Sequence, residues 1–156
     1  MCKTLYPLSL FLLAGSLFAA DPFAGTWKLN VANSKIVGPN PAPKELTAVV
    51  EVAGDQVTVT VKGTAADGSP ISVKYTTPGT GGPVQFLEGA TPGVSSVFAK
   101  KKADSRISDS TDTKEGKVIQ TTHWVVSPDG KSLRATIKGI DAQGKKFESV
   151  EVWDKQ

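Results

Sequence analysis

The sequence predicts an all-β protein, an antiparallel up-and-down meander β-barrel of about ten strands, placed after an N-terminal signal peptide. Two observations carry this prediction. Apolar and polar residues alternate with a period of two along most of residues 21–156, and short glycine-containing turns separate the alternating segments. No sustained 3.6-residue apolar pattern competes with them. At 156 residues, the chain has the length of one domain after such a signal.

The first twenty residues resemble an export signal. Lys3 provides a positive start, residues 5–18 are predominantly apolar, and Ala19 and Ala20 provide a small-residue cleavage site. This divides the chain into a signal peptide, 1–20, and a barrel domain, 21–156, that is exported to the periplasm or the extracellular space. An uncleaved anchor is the alternative, because the −3 position falls on bulky Leu17 or Phe18.

Cysteine content and charge exclude several classes of protein. The only cysteine, Cys2, lies in the predicted signal, so the exported domain has no disulfide. Ser16 stands where a lipoprotein signal carries its lipid-bearing cysteine. A net charge of +3, from 18 basic and 15 acidic residues, is too balanced for a nucleic-acid partner. We expect a monomer without stable membrane insertion after cleavage.

The alternating segments define ten candidate strands separated by turn-forming residues. Gly54-Asp55 and Asp129-Gly130 suit tight hairpins, and the proline-rich stretch 38–43 predicts an extended connector. Residues 78–83 are predicted to form an irregular loop. The candidate strands are 23–31, 46–52, 57–61, 71–76, 84–88, 96–101, 106–113, 118–126, 133–138 and 147–154.

An internal repeat supports consecutive antiparallel strands. Residues 49–71 match residues 125–147 without gaps, and both copies contain a Lys-Gly-x-x-Ala-x-Gly segment. Either a duplication or convergence on favourable hairpin chemistry explains the match. Both require a meander, and many sequential strands in one domain favour a barrel, which removes exposed edges. A two-sheet sandwich is the alternative.

The segment 23–29, with Gly25 and Trp27, resembles the first strand of calycins, the superfamily of lipocalins and fatty-acid-binding proteins. The segment 150–155 resembles the closing strand of the fatty-acid-binding group. The chain also resembles small exported bacterial lipocalin-like proteins of unassigned function. The resemblance implies that Trp27 closes the barrel base beneath a basic residue from late in the chain, for which we predict Arg134, with Arg106 as the alternative.

Two departures from that family pattern argue against fatty-acid carriage by its usual mechanism. Glu151 and Trp153 occupy the positions of the Arg-x-Tyr pair that holds the ligand carboxylate in intracellular fatty-acid binders. Residues 30–43 are too short and too rich in proline for the two-helix lid of that group.

The predicted ligand-binding residues are aromatic side chains that would line a lumen, together with one acid. Simple core packing of the same aromatic residues is the alternative, because a small barrel can fill itself. If Glu151 faces inward, it either pairs with an interior arginine or engages a cationic or hydroxylated ligand. The predicted set is Tyr75, Phe86, Phe98, Trp124, Glu151 and Trp153.

No catalytic, metal or cofactor site is predicted. The single histidine, His123, is expected on the face opposite Trp124, without a neighbouring nucleophile. One histidine and no cysteine in the predicted domain exclude the usual zinc sites. The run of three lysines at 100–102 is expected to keep a strand end soluble.

These observations predict a non-enzymatic exported barrel that binds or sequesters a small apolar ligand. The alternative is a cell-envelope or extracellular interaction domain whose barrel is filled by side chains and holds no small molecule.

Overall fold

A computed structural model describes residues 21–100 and 105–156, so the predicted signal peptide lies outside the described residues. The described chain forms eleven strands and, at Val31–Asn33, a single turn of 3-10 helix. The strands are β1 (Gly25–Leu29), β2 (Glu45–Ala53), β3 (Gln56–Thr64), β4 (Pro70–Pro78), β5 (Gly81–Pro83), β6 (Gln85–Glu88), β7 (Val94–Lys100), β8 (Ile107–Lys114), β9 (Lys117–Val126), β10 (Ser132–Ile140) and β11 (Lys146–Lys155). No helix in the described part of the chain has the length and apolarity that crossing a membrane requires.

All strand pairs are antiparallel, and the strands form one nearly closed barrel. The hydrogen-bonded order is β5-β7-β8-β9-β10-β11-β1-β2-β3-β4-β6. β1 pairs with both β2 and β11, so the first and last strands are neighbours. The all-β meander barrel predicted from the alternation is confirmed.

The barrel closes through a strand that is split in two, a feature that the sequence did not predict. β5 pairs with β7, and β6, which follows it after a single residue, pairs with β4 on the other side. β5 lies inside the segment predicted to be an irregular loop. Gly81 makes this pairing feasible, because a Cβ on it would lie 2.7 Å from the Phe98 carbonyl oxygen.

The internal repeat corresponds to two three-stranded meanders, β2–β4 and β9–β11. β3 and β10 have the same length and lie 76 residues apart at both ends, and β4 and β11 begin at the same offset. The turns that follow β3 and β10 contain an equivalent backbone hydrogen bond, from Ala65 N to Ser69 O at 2.8 Å in the first and from Asp141 N to Lys145 O at 2.9 Å in the second. The sequence repeat is therefore also a structural repeat.

The apolar core lies at one end of the barrel, where β1 begins and β11 ends. Its buried cluster contains Trp27, Leu29, Val126, Leu133 and Trp153. Toward the opposite end the buried residues are hydroxylated, since Ser96, Ser110 and Thr122 are each less than 10% exposed. The barrel interior therefore changes from apolar to polar along its axis.

Candidate functional site: a lumen in two compartments

Trp27 forms the base of the apolar end. It is fully buried, and its indole Nε1 donates to the Phe23 carbonyl oxygen at 2.8 Å. The ammonium of Lys155 lies 5.0 Å from the centre of the indole ring, within range of a cation–π interaction. Gly25 allows this approach, because a Cβ there would lie 2.8 Å from Lys155 Cε, and its φ of +127° disfavours other residues.

The basic residue above Trp27 is therefore Lys155, which replaces the arginine expected from the resemblance. Leu133 and Ala135 are buried, so the strand alternation places Arg134 between them on the exposed outer face. Arg106 is directed elsewhere and donates to the Pro128 carbonyl oxygen at 3.5 Å. Lys155 lies opposite Trp27 in the β1–β11 register, which puts its stem close to the ring.

A cavity of about 130 Å³ occupies the apolar end above Trp27. Its walls are almost entirely apolar, and they include the inward faces of β2, β3 and the end of β11. The apolar side chains that line it include Phe23, Trp27, Ala48, Val50, Val57, Val59, Val61, Tyr75, Phe98, Trp124, Leu133 and Trp153.

A buried ion pair borders this cavity. Lys100 Nζ lies 2.7 Å from Asp21 Oδ2, and both side chains are less than 10% exposed. Lys100 Nζ also lies 5.0 Å from the centre of the Phe23 ring. Because all three residues contact the cavity, residues 21–23 are held against its rim by charge and by ring packing. Lys100 was expected on a solvated strand end, but the structure places it inside the barrel.

Three aromatic side chains, Tyr75, Phe98 and Trp124, lie between the apolar and polar ends. Tyr75 and Phe98 stack with centroids 5.8 Å apart and planes inclined by 19°. Phe86 meets the Tyr75 ring edge-on, also at 5.8 Å. Tyr75, Phe98 and Trp124 each line the cavities on both sides, so they divide the lumen into an apolar and a polar compartment.

The polar compartment is a second cavity, of about 180 Å³. Asp112 lies in its wall on β8, where it accepts hydrogen bonds from Ser96 Oγ at 2.5 Å and Gln120 Nε2 at 3.2 Å. Trp124 Nε1 donates to Ser110 Oγ at 3.3 Å.

The phenol of Tyr75 is neutral in this compartment. Burial raises the pKa of the Tyr75 phenol far above its ordinary value, and the charge of Asp112 raises it further. The lining residues are Tyr75, Val84, Phe86, Ser96, Phe98, Ser110, Asp112, Gln120, Thr122 and Trp124.

Glu151 lines neither compartment. It pairs in register with Ala135, which is fully buried, so it lies on the inner face of the sheet. Its Oε2 accepts a hydrogen bond from Trp153 Nε1 at 3.1 Å. Burial raises the pKa of its carboxyl group, and the Trp153 hydrogen bond opposes that shift in part.

The structure brings together five of the six residues predicted to line a lumen. Three of them line both compartments, Trp153 lines the apolar one, and Phe86 lines the polar one. Glu151 faces the interior, yet it contacts Trp153 rather than a cavity. His123 lies on the outer face, with Nδ1 2.7 Å from Asp109 Oδ1, and both side chains are more than half exposed. Within residues 21–100 and 105–156, no three His, Cys, Asp or Glu side chains group as a metal site requires.

Sequence reasoning missed Asp21, Lys100 and Asp112 as residues of the lumen. A signal was present for two of them. Lys100 stands two residues after Phe98, and Asp112 stands two residues after Ser110, so strand alternation puts each on the face of its neighbour.

No protein-family model matches this chain, and no curated protein matches it either. Several solved structures are similar to it. Lobster apocrustacyanin A1 has 10% identity and a TM-score of 0.48, with 88% of this chain and 63% of that chain covered. The siderocalin Ex-FABP has 11% identity and a TM-score of 0.45, with 86% of this chain and 71% of that chain covered. The redesigned β-barrel mFAP1, bound to DFHBI, has 11% identity and a TM-score of 0.41, with 88% of this chain and 98% of that chain covered.

This chain thus spans less than two thirds of the length of apocrustacyanin A1. Because the TM-scores lie below 0.5, the assignment of the fold rests on the strand pairing and not on these similarities. That pairing and the Trp27 base are the arrangement that the calycin resemblance implies. The fold is calycin-like.

Proposed function

We propose that this protein binds a small, largely apolar ligand inside the barrel and performs no catalysis on it. The observation that supports the proposal is the apolar compartment, an interior space of about 130 Å³ walled by aromatic and valine side chains. Transfer of apolar surface from water into such a space is favourable, at about 25 cal/mol per Å².

The size of the compartment limits what it accepts. An engineered apolar cavity of about 150 Å³ in another protein stays dry and binds benzene. The compartment here is close to that size, so we expect it to hold one aromatic ring or a short alkyl segment. A long fatty acid is too large for it, in line with the missing carboxylate clamp at Glu151 and Trp153.

The site of action belongs to the same proposal. The signal-like segment 1–20 supports export to the periplasm or the extracellular space, where the domain 21–156 acts as a monomer. The absence of catalysis is supported by the position of the His123–Asp109 pair on the outer face, away from both compartments.

An interaction domain without a ligand is the second candidate. The observation that favours it is again the size of the apolar compartment, which is well below the roughly 300–1,000 Å³ of most small-molecule pockets. In that case the aromatic residues serve as a packed core.

A cavity-filling pair of variants tests the proposal. Ala48 lines the apolar compartment, whereas Ala99 is exposed on the outer face of β7. Toluene is titrated into the wild-type protein, Ala48→Leu and Ala99→Leu, with binding followed by calorimetry and folding checked by far-ultraviolet circular dichroism. We expect saturable one-to-one binding that Ala48→Leu weakens by about tenfold or more, since the added methylenes occupy the space. Ala99→Leu should bind like the wild type.

Either of two results with toluene would contradict the proposal. If toluene does not bind the folded wild-type protein, or binds Ala48→Leu as tightly, the apolar compartment is not the binding site. The interaction-domain alternative then gains support.

A further inference from the structure

We propose that the polar compartment recognises an ammonium group, so that the ligand of this barrel is a small organic amine with an apolar tail. This extends the proposed function, because the tail would lie in the apolar compartment and the cationic head in the polar one. The proposal gives the ligand a positive charge, which the apolar compartment alone does not specify.

Asp112 places a carboxylate in the wall of the polar compartment, and none of its partners in the described part of the chain is basic. Its described hydrogen-bond donors, Ser96 and Gln120, are neutral. The close contacts between basic and acidic side chains within residues 21–100 and 105–156 join Lys100 to Asp21, His123 to Asp109 and Lys138 to Glu148, and none of them includes Asp112. Because charges taken from water need compensation, a cation is the complement this wall lacks.

The other walls of the compartment suit a cation as well. Tyr75, Phe86, Phe98 and Trp124 line the same cavity as Asp112. The faces of aromatic rings attract ammonium groups, most strongly where water is displaced. A carboxylate surrounded by aromatic rings therefore selects a positive head group over a neutral one, and an anion would be repelled.

Tyr75 supplies a further polar group. Its ring lines both compartments, and no residue of the described chain forms a hydrogen bond with its hydroxyl. Because the phenol stays neutral, its oxygen can accept a hydrogen bond from an ammonium group that also donates to Asp112. The stacked pair of Tyr75 and Phe98 would then lie along the junction of head and tail.

The space available limits the amine. The polar compartment measures about 180 Å³ and the apolar one about 130 Å³, and they share the Tyr75, Phe98 and Trp124 side chains. A primary amine with one aromatic ring or a short alkyl chain fits this arrangement. A bulky or multiply charged amine does not, because the charged side chains in the described lining of the apolar compartment, Asp21 and Lys100, are already paired with each other.

Three probes of similar shape test the charge preference at neutral pH by calorimetry. They are 2-phenylethylammonium, the neutral 2-phenylethanol and the anionic 3-phenylpropanoate. A hydrogen bond to a charged group contributes enough to change Kd by about tenfold to a hundredfold. We expect the ammonium probe to bind the wild-type protein at least about tenfold more tightly than the alcohol, and the anion to bind least.

Two matched variants on β8 locate the preference. Asp112→Asn should remove the ammonium preference and leave 2-phenylethanol binding unchanged. Asp109→Asn, on the outer face of the same strand, should retain the full preference. If Asp112→Asn fails to fold, the ratio of the ammonium and alcohol affinities in the wild-type protein still decides the matter.

Equal or tighter binding of 2-phenylethanol by the wild-type protein would overturn the inference, as would an ammonium preference that survives in Asp112→Asn. Toluene binding separates this failure from that of the proposed function. Toluene binding without an ammonium preference overturns only the amine, whereas ammonium binding without toluene binding overturns only the apolar compartment as an independent site. Binding of neither overturns both.

Discussion

The two ends of the barrel interior are built from different residues. At the end where β1 begins, Trp27 is fully buried and Val126 is 1% exposed, and they pack with other large apolar side chains. At the opposite end, the buried positions of β7, β8 and β9 carry serine and threonine around one carboxylate. Strands β4, β7, β8 and β9 contribute to both ends, so along these strands the difference lies in the side chains rather than in the backbone.

This difference separates stability from recognition. Burial of aromatic and aliphatic groups supplies most of the free energy of folding, and it is concentrated at the Trp27 end. Hydroxyl and carboxylate groups contribute little net stability but distinguish one ligand from another. We therefore expect truncations to lower stability mainly at the Trp27 end and to change ligand preference mainly at the Asp112 end.

The largest effect is expected from Trp27→Ala. Removing a fully buried tryptophan costs about 3–5 kcal/mol of unfolding free energy, because the cavity it leaves collapses only partly. Phe86→Ala, at the polar end, should cost only about 1–2 kcal/mol, since Phe86 is half-buried. Urea unfolding followed by far-ultraviolet circular dichroism measures both. Equal losses in the two variants would contradict the division between the ends.

The second effect concerns two side-chain contacts of equal length in the described part of the chain, the buried Asp21–Lys100 pair and the exposed Asp109–His123 pair. Asp21→Asn takes the carboxylate away from the buried Lys100 side chain, and loss of a hydrogen bond between charged groups costs about 1.5–3 kcal/mol. Asp109→Asn breaks a pair with the same 2.7 Å separation between exposed side chains, which should cost less than about 1 kcal/mol. Urea midpoints of the two variants give the comparison. A loss for Asp21→Asn no larger than that for Asp109→Asn would show that residues 21–23 are not held at the rim.

The strand pattern could be predicted from sequence because it follows from a local rule, whereas the Trp27 base was predicted from the resemblance to calycins. Period-two alternation identifies a half-buried strand without knowledge of its partners. That Gly25 with Trp27 marks the first strand came from the resemblance to calycins. The split of β5 from β6 was missed, because Gly81–Pro83 lacks apolar alternation and pairs only through its backbone. The residue above Trp27 was missed because only arginines were considered, whereas the β1–β11 register places Lys155 there.

The polar compartment could not be predicted, because it reverses the usual rule that strands place polar residues outside. On β8, the inward face carries Ser108, Ser110 and Asp112, and by polarity alone it resembles a solvated face. Only closure of the barrel assigns it to the interior. Lys100 was misplaced for the same reason, since its charge outweighed its position two residues after Phe98.

A smaller effect is expected from Ser110→Ala at the polar end. Ser110 accepts the hydrogen bond of Trp124 Nε1, and loss of one such bond costs about 1 kcal/mol. Ser95→Ala, at an exposed position of β7, should change stability by less than about 0.5 kcal/mol. Urea unfolding and the emission spectrum of the tryptophans check the pair. A loss as large as that of Trp27→Ala would show that the polar end contributes to folding as much as the apolar end.

The most subtle difference is between two carboxylates on the inner faces of strands, Asp112 on β8 and Glu151 on β11. Asp112 accepts two side-chain hydrogen bonds in a cavity, whereas Glu151 accepts one, from Trp153, and lines no cavity. Burial raises the pKa of Glu151 in the folded protein above its ordinary value of 4.5. The Glu151 carboxyl group therefore loses its proton at a lower pH in the unfolded chain than in the folded protein. Its ionisation favours the unfolded chain, so Glu151 lowers the free energy of unfolding as pH rises above its ordinary pKa of 4.5.

Glu151→Gln should remove this penalty. An amide has nearly the same shape and still accepts the Trp153 hydrogen bond, so the variant should be more stable than the wild type at about pH 7. This gain in stability should shrink as pH falls and vanish at about pH 4, where Glu151 is mostly protonated in both the folded protein and the unfolded chain. Urea midpoints across this range give the measurement, with Glu148→Gln as the exposed control on the same strand. A constant difference at every pH would mean that Glu151 acts through packing, and the contrast with Asp112 would then be one of shape rather than charge.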